Sequence, residues 1–438
     1  MNAYAQRCDA DEEAIFKLRE ADLGAFAVWD GVHGHEDHDD RYKAGILLEN
    51  SHVYVAGQRG VLGKPFPELI LAEVDRRGRI VWETKRKIQG LDDVLDIIRF
   101  KDDFIVTARI VEKNKRQAIW VGFFDKRGAM RSERIFRHDN GSFLHASLAP
   151  LGNDKGFVMV GRVAGGSADQ SEFSQFYRLN TKLQVTSKRS FDLGADNGLF
   201  KIIPIDNGQF YAAGYVHNAR DRKTGWLLKL DDEGGIVWQQ QYPRGIGAEF
   251  IDLQALSNGD VIAVGTALPA QEDALKAGWM VRVEPFNGAM AWQRYFTNTI
   301  DYSAVNISVN KDDLITIVMD AKPVDGVPSP EGEVPRDYVR VVTLNPRGVI
   351  FDSQAYFQGE VADVNDVVIG PVGERILVGT TRIAYLEVES DVSKGIGRVE
   401  KTPTIRKRSN EGWIIATPSS DRYQDPCKPK KERVLKSL

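Results

Sequence analysis

One unit recurs along almost the whole chain: an apolar stretch, a short polar turn, and a second apolar stretch that usually closes on a small residue. It reads ILLENSHVYVAG to Gly57, IIRFKDDFIVTA to Ala108, LAPLGNDKGFVMVG to Gly161 and IIPIDNGQFYAAG to Gly214. It continues as LQALSNGDVIAVG to Gly265, ISVNKDDLITIV to Val318 and VVIGPVGERILVG to Gly379. By subtraction of those numbers, successive end points lie 51, 53, 53, 51, 53 and 61 residues apart. Self-similarity at a fixed period of this size marks an array of small units, none able to bury its apolar face alone. At 438 residues the chain is also longer than one ordinary core supports.

A second unit alternates with the first. It runs LILAEVDRRGRIVW to Trp82, IWVGFFDKRGAMRS to Ser132, QFYRLNTKLQVTS to Ser187, GWLLKLDDEGGIVW to Trp238, GWMVRVEPFNGAMAW to Trp292 and VRVVTLNPRGVIFD to Asp352. Asp75, Asp125 and Asp231 can accept backbone bonds at the start of a turn, and Gly78, Gly128 and Gly234 supply its positive φ. Each unit is therefore a β-hairpin, and each period holds four strands. The expected fold is an all-β, seven-bladed β-propeller of four antiparallel strands per blade. After Gly379 no Trp-ending fourth strand is evident, whereas GAFAVWDGV (24–32) supplies one ahead of the first unit. The N-terminal strand is thus expected to join the last blade and close the ring. The same logic makes Trp82, Trp238 and Trp292 packing residues between blades, and Trp226 and Trp279 likewise.

The expected organisation is an N-terminal segment over 1–24, the propeller over 25–418 and a basic tail over 419–438. Within DEEAIFKLREAD, the stretch FKLRE (16–20) patterns as a short amphipathic helix able to plug one end of the ring. The insertion KPVDGVPSPEGEVPRD (322–337) accounts for the longest period. Net charge is −4, from 58 basic and 62 acidic residues, which lacks the basic excess of a nucleic-acid binder. No run of about 18 apolar residues suggests a membrane-spanning helix. The cysteines Cys8 and Cys427 flank the folded region, and a disulfide between them would tie the ends of the chain and imply an oxidising compartment. Ala3-Tyr4-Ala5 has the small-x-small pattern of a signal cleavage site. A periplasmic or secreted location is expected on those grounds, with a cytoplasmic one as the alternative.

The segment GWLLKLDDEGGIVWQQQYPRGIGAEFIDLQALSNGDVIAVGTA (225–267) resembles secreted bacterial propellers whose blades read Trp-Leu-x-Lys-Leu-Asp-x-x-Gly-x-Ile-x-Trp. VEPFNGAMAWQ (283–293) is similar to the repeat of quinoprotein-like propellers, including the scaffold lipoprotein of the outer-membrane assembly machinery. The resemblance covers most of residues 25–390 and is weakest in the third blade, where Asn180, Leu183 and Ser187 replace Asp, Gly and Trp. It implies a fold and no activity, because the matching residues are structural. Quinone enzymes of that superfamily use a vicinal disulfide or comparable platform, and this chain has no adjacent cysteines.

Candidate site residues come from the crossovers between blades, which all fall on one face beside the channel mouth. They carry Asp39 and Asp40, Asp92 and Asp93, Asp139, Asp196, Glu249, Asp301, and Glu360 with Asp363. Two readings of this ring stay open: carboxylates that cap turns, or an acidic rim that focuses field on a cation or a basic partner. The first crossover, GVHGHEDHDD (31–40), adds His33, His35 and His38, ligands suited to zinc, nickel or copper, with calcium a further option at the carboxylates. Their spacing departs from the His-Glu-x-x-His helix. No cofactor is otherwise required. Without a triad, an acid pair or an open metal signature, the expected function is a non-catalytic scaffold binding a protein partner through this rim. The alternatives are a metal-assisted hydrolase or lyase, and a lectin-like saccharide binder using rim aromatics such as Tyr302 and Phe143.

Overall fold

The structure is a computed structural model that describes residues 13–17, 27–61, 63–165, 171–191, 193, 195–269, 275–297, 300–323, 337–370, 373–387 and 404–419. Its strands form seven sheets arranged as a ring. Blade 1 spans 38–86, blade 2 91–136, blade 3 141–191, blade 4 197–242, blade 5 247–297 and blade 6 301–356. Blade 7 takes three strands from 362–417, and its outermost strand is Trp29–His33, antiparallel to Thr404–Thr417 with Trp29 opposite Ala416 and His33 opposite Gly412. The N-terminal strand therefore closes the ring, as the repeat pattern requires. One expectation fails nearby. Glu13–Lys17, overlapping the stretch expected to be helical, is a strand that pairs parallel to the outer strand of blade 5, Met290–Thr297. An open β edge satisfies backbone groups that a single amphipathic turn would leave to water.

The core is distributed between blades. Seven apolar clusters each join the facing surfaces of two neighbouring sheets, one per junction, including blade 7 against blade 1 through Tyr42, Val55, Val378 and Ile414. Both faces of the middle strands are covered, so they read as near-continuous apolar runs. The tryptophans belong to these junctions. Trp226 and Trp279 are fully buried, and Trp279 stacks on Phe250 at 4.4 Å between ring centroids. The outer-strand tryptophans lie against the hairpin of the next blade. At Gly78 (φ 75°) an added Cβ would fall 2.8 Å from the Trp29 ring, and at Gly288 (φ 72°) 2.7 Å from Trp238. The indole N–H of Trp238 donates to Pro285 O at 3.1 Å, and that of Trp292 to Pro346 O at 3.1 Å.

Blade 3 keeps this hairpin despite its divergent sequence. Asn180 Oδ1 accepts the amides of Lys182 and Gln184, both at 2.9 Å, as Asp75 Oδ1 accepts those of Arg77 and Arg79. Leu183 takes the positive φ (56°) that glycine holds elsewhere. Its side chain is buried between blades 2 and 3, and burial offsets the cost of that backbone conformation.

The glycine that ends the first unit has a separate cause. Every inner strand carries a β-bulge, at Lys43, Leu95, Leu144, Phe200, Ile251, Val305 and Asn365. In blades 1, 4, 5 and 7 the bulge brings a carbonyl within 1.8–2.2 Å of where a Cβ on Gly57, Gly214, Gly265 or Gly379 would lie. In blade 6 the residue in register is Met319, opposite Ala304, so the repeat boundary there falls one residue beyond Val318.

Trp279→Ala removes a buried ring from the junction of blades 4 and 5. We expect it to lower the unfolding free energy by about 3–5 kcal/mol, read from the midpoint shift of urea denaturation at unchanged slope.

Candidate functional site

Inner strands all start on the face that carries the crossovers, and the loops joining second to third strands lie on that face too. Arg116 of one such loop donates to Asp139 O of the crossover from blade 2 to blade 3 at 2.8 Å. The carboxylates expected to ring this face are there, and most are held by the protein itself. Asp40, almost fully buried, receives Arg59 Nε and Nη2 at 2.6 Å each. Asp92 pairs with Arg109 at 2.6 Å and Asp93 with Lys43 at 3.0 Å. Glu249 pairs with Lys223 at 3.1 Å, Glu360 with Arg408 at 2.7 Å and Asp363 with Lys322 at 3.0 Å. Asp39, Asp196 and Asp301 accept the backbone amides of Asn410, Glu172 and Lys276 at 3.0, 3.0 and 2.7 Å. Asp139 is exposed. A carboxylate beside a guanidinium or ammonium projects little field outward, so the face carries a ring of ion pairs more than a ring of acid.

The three histidines part company. His33 lies in the closing strand, its Nε2 2.8 Å from Gly78 O and its Nδ1 3.1 Å from the Tyr42 hydroxyl. A carbonyl only accepts, so Nε2 carries the proton and Nδ1 accepts from Tyr42. Burial holds this imidazole below its usual pKa. Both nitrogens are thus engaged in joining blade 7 to blade 1. His35 is exposed, 3.6 Å from the Asp37 carboxylate, and its ring meets that of His38 edge-on at 5.9 Å. Among the described residues no group of three or more His, Cys, Asp or Glu is arranged to hold a metal ion. Tyr302 and Phe143 are fully buried, so neither presents a face to a sugar. Cys8 and Cys427 lie outside the described residues. No helix among those residues is long and apolar enough to cross a membrane.

A set of residues that the repeat pattern did not bring out lines the channel. The residue after the bulge is Ala44, Asp96, Lys201, Asp252, Asn306 or Asp366, and in blade 3, where the bulge comes earlier, Ser147 holds the matching register opposite Val160. Asp252 Oδ2 accepts the amide of Ile307 in blade 6 at 3.0 Å, and Asp366 Oδ2 that of Gly45 in blade 1 at 2.9 Å. Ser147 Oγ accepts the amide of Ile202 in blade 4 at 3.3 Å. The same carboxylates also accept an amide of their own strand, Leu253 or Val367, at 2.8 Å. Across the channel, Lys201 Nζ reaches Asp96 Oδ2 at 3.1 Å. Burial works against charge on Lys201, yet Asp96, Asp252 and Asp366 outweigh it and hold the ammonium above the ordinary lysine range. Burial lifts Asp366 to about 7 and raises Asp252 as well. Near the mouth Asp320, accepting the Val364 amide at 3.3 Å, is lifted to about 7 by burial and then by the Asp363 carboxylate. The sequence trace of this belt is a polar residue inside the apolar inner-strand run in every blade but the first, where Ala44 takes the position, as with Lys201 in FKIIPI or Asp252 in IDLQAL.

No protein-family model matches the chain, and no curated protein matches it. Among solved structures the chain is similar to the GH93 α-L-arabinofuranosidase of Fusarium graminearum, with a TM-score of 0.44 and 9% identity over 89% of this chain and 98% of that one. It is also similar to a putative 6-phosphogluconolactonase from Bacteroides uniformis, at 0.44 and 12% over 71% and 84%. A thermostable family-43 glycoside hydrolase gives 0.34 and 11% over 62% and 95%. Likeness at this level brings no activity with it, and the seven-bladed fold rests on the strand pairing itself. The resemblance to secreted Trp-ending repeats is matched only as propeller architecture.

Asp320 gives the face a pH dependence of known sign. Its folded pKa, about 7, lies above the ordinary carboxyl value, so the native state binds the extra proton. Its stability contribution is full below about pH 4 and is lost as pH rises to about 7. Asp320→Asn should flatten the fall of unfolding free energy across that window by up to about 1.4 kcal/mol per pH unit. Urea titrations from pH 4.5 to 7.5 read the slope, and an unchanged slope means Asp320 titrates as an ordinary carboxylate.

Proposed function

We propose that this protein is a non-catalytic scaffold of a bacterial cell-envelope or secreted complex, a rigid ring that receives a protein partner on its crossover face. The observation that carries the proposal is the engagement of the carboxylates. General acid–base or nucleophilic work needs an oxygen free to meet substrate. Here the rim acids other than the exposed Asp139 hold guanidinium, ammonium or backbone amide groups, and Asp252 and Asp366 each hold amides of two blades. Such bonds make a platform whose loops are fixed in space, which is what interface preorganisation asks for. Neither a cofactor nor a metal ion is part of this function. The compartment follows from the proposed Cys8–Cys427 disulfide, and a thiol count on protein from an oxidising compartment should find none free without reductant. Two free thiols there would remove that ground for an extracytoplasmic location.

One observation favours a second function, a hydrolase or lyase: Asp320 and Asp366, lifted to about 7, are carboxyls of the kind a general acid uses near neutrality. A photoreactive side chain placed in the native cell at Arg220 or Asn140, both exposed on the crossover face, separates the two. The scaffold predicts one recurrent protein adduct from these sites and none from Lys182 or Asp312 on the opposite face. Equal or absent adducts, together with turnover of a glycoside or lactone that Asp320→Asn or Asp366→Asn abolishes, would reverse the assignment in favour of the enzyme.

A further inference from the structure

Between blades 1 and 2 the crossover face opens into a groove of about 860 Å³, within the size range of pockets that bury whole ligands. Its floor is apolar: Ile88 of the crossover, Val111 at the end of the second strand of blade 2, and Ile135 of that blade's outer strand. One wall is the loop Pro65-Phe66-Pro67, where Phe66 is 39% exposed. The flanking prolines each fix a φ, which limits the backbone conformations open to this loop.

Charge at the lip is distributed unevenly. Lys64 pairs with Glu68 at 3.1 Å and Arg137 with Glu112 at 2.7 Å. Lys87 and Lys113 are exposed and have no carboxylate partner among the described residues. Four cations against two carboxylates leave the groove at +2 (4 − 2), in a chain whose net charge is −4. Apolar floor, exposed aromatic and unpaired cations together form the pattern of a protein-docking groove, with an anchor pocket inside a charged rim.

We propose that this groove takes an extended segment of a partner protein in which one or two large apolar side chains are flanked by aspartate or glutamate. The proposal rests on the scaffold function above and names the partner's chemistry. The apolar side chains enter beside Phe66 and over Ile88 and Val111, and the flanking carboxylates meet Lys87 and Lys113. A polyanion such as nucleic acid suits the site less well, because the floor offers carbon where phosphate needs donors.

The test uses the full chain and a fluorescein-labelled acidic hexapeptide with a central leucine–phenylalanine pair, read by anisotropy. Saturable binding is expected, and Lys87→Glu with Lys113→Glu should weaken it at least tenfold. Phe66→Ala should weaken it about fivefold, and raising salt from 50 to 300 mM should weaken it further. All three substitutions are at exposed positions, and an unchanged thermal midpoint checks that folding is intact. Lys182→Glu on the opposite face should leave binding alone. The proposal is overturned if a peptide with lysines in place of its carboxylates binds equally well, or if the double substitution has no effect. It is also overturned if the chain self-associates through Phe66 in sedimentation and the acidic peptide fails to compete, since the occupant is then a second copy. Persistence of the Arg220 and Asn140 adducts alongside a failed peptide titration would reject this groove and leave the scaffold function standing.

Discussion

The bulge in each inner strand is the constraint on which the ring depends. A regular antiparallel strand turns successive side chains to opposite faces, and one inserted residue resets that alternation at the same depth in six blades and slightly earlier in blade 3. Two consequences follow at once. In four blades the strand opposite gives up a Cβ, at Gly57, Gly214, Gly265 and Gly379, while Ala108 and Met319 keep theirs in blades 2 and 6. The residue after the bulge is freed to reach the neighbouring sheet, so Asp252 and Asp366 bond backbone amides across blade junctions. Hydrogen bonds that join separate sheets in a low-dielectric interior fix register as well as adding stability. The inner edge of the ring is consequently held by polar bonds, and its bulk by seven apolar junctions.

This division explains what could be read from sequence. Seven blades, the hairpin turns, and Trp29 as the missing outer-strand tryptophan were all legible, because each leaves a residue type at a fixed offset. Even the divergent third blade conformed, with Asn180 and Leu183 reproducing the turn by other means. The channel belt was not legible. Ala44, Asp96, Ser147, Lys201, Asp252, Asn306 and Asp366 share a register and no chemistry, so no motif connects them. The strand at Glu13–Lys17 escaped for a different reason: its partner is 280 residues away (293 − 13) and its own pattern suits a helical turn equally well.

The candidate site shows the same limit from the other side. Sequence placed the carboxylates of the crossovers on one face, and could not say what each would meet. Asp40 lies under Arg59 and Asp92 beside Arg109, partners drawn from second strands some 17 to 19 residues on. His33, which looked like one of three ligands, turned out to join two blades. Where opposite charges are paired within blades and between them, the surface that remains available is decided by the unpaired minority, and on the crossover face that minority includes Lys87 and Lys113.

The closing strand sets the order in which the molecule can be completed. Trp29–His33 leaves the ribosome early and finds its partner only when residues 412–416 have been made. Until then blade 7 has an unsatisfied edge and blade 1 lacks the sheet that covers Tyr42 and Val55. Contacts this distant in sequence are slow to form. Six blades can accumulate during synthesis while the seventh waits, and a chain stopped short of its last strand presents two open flanks that invite association with other chains. The strand Thr404–Thr417 thus acts as a completeness check on the ring.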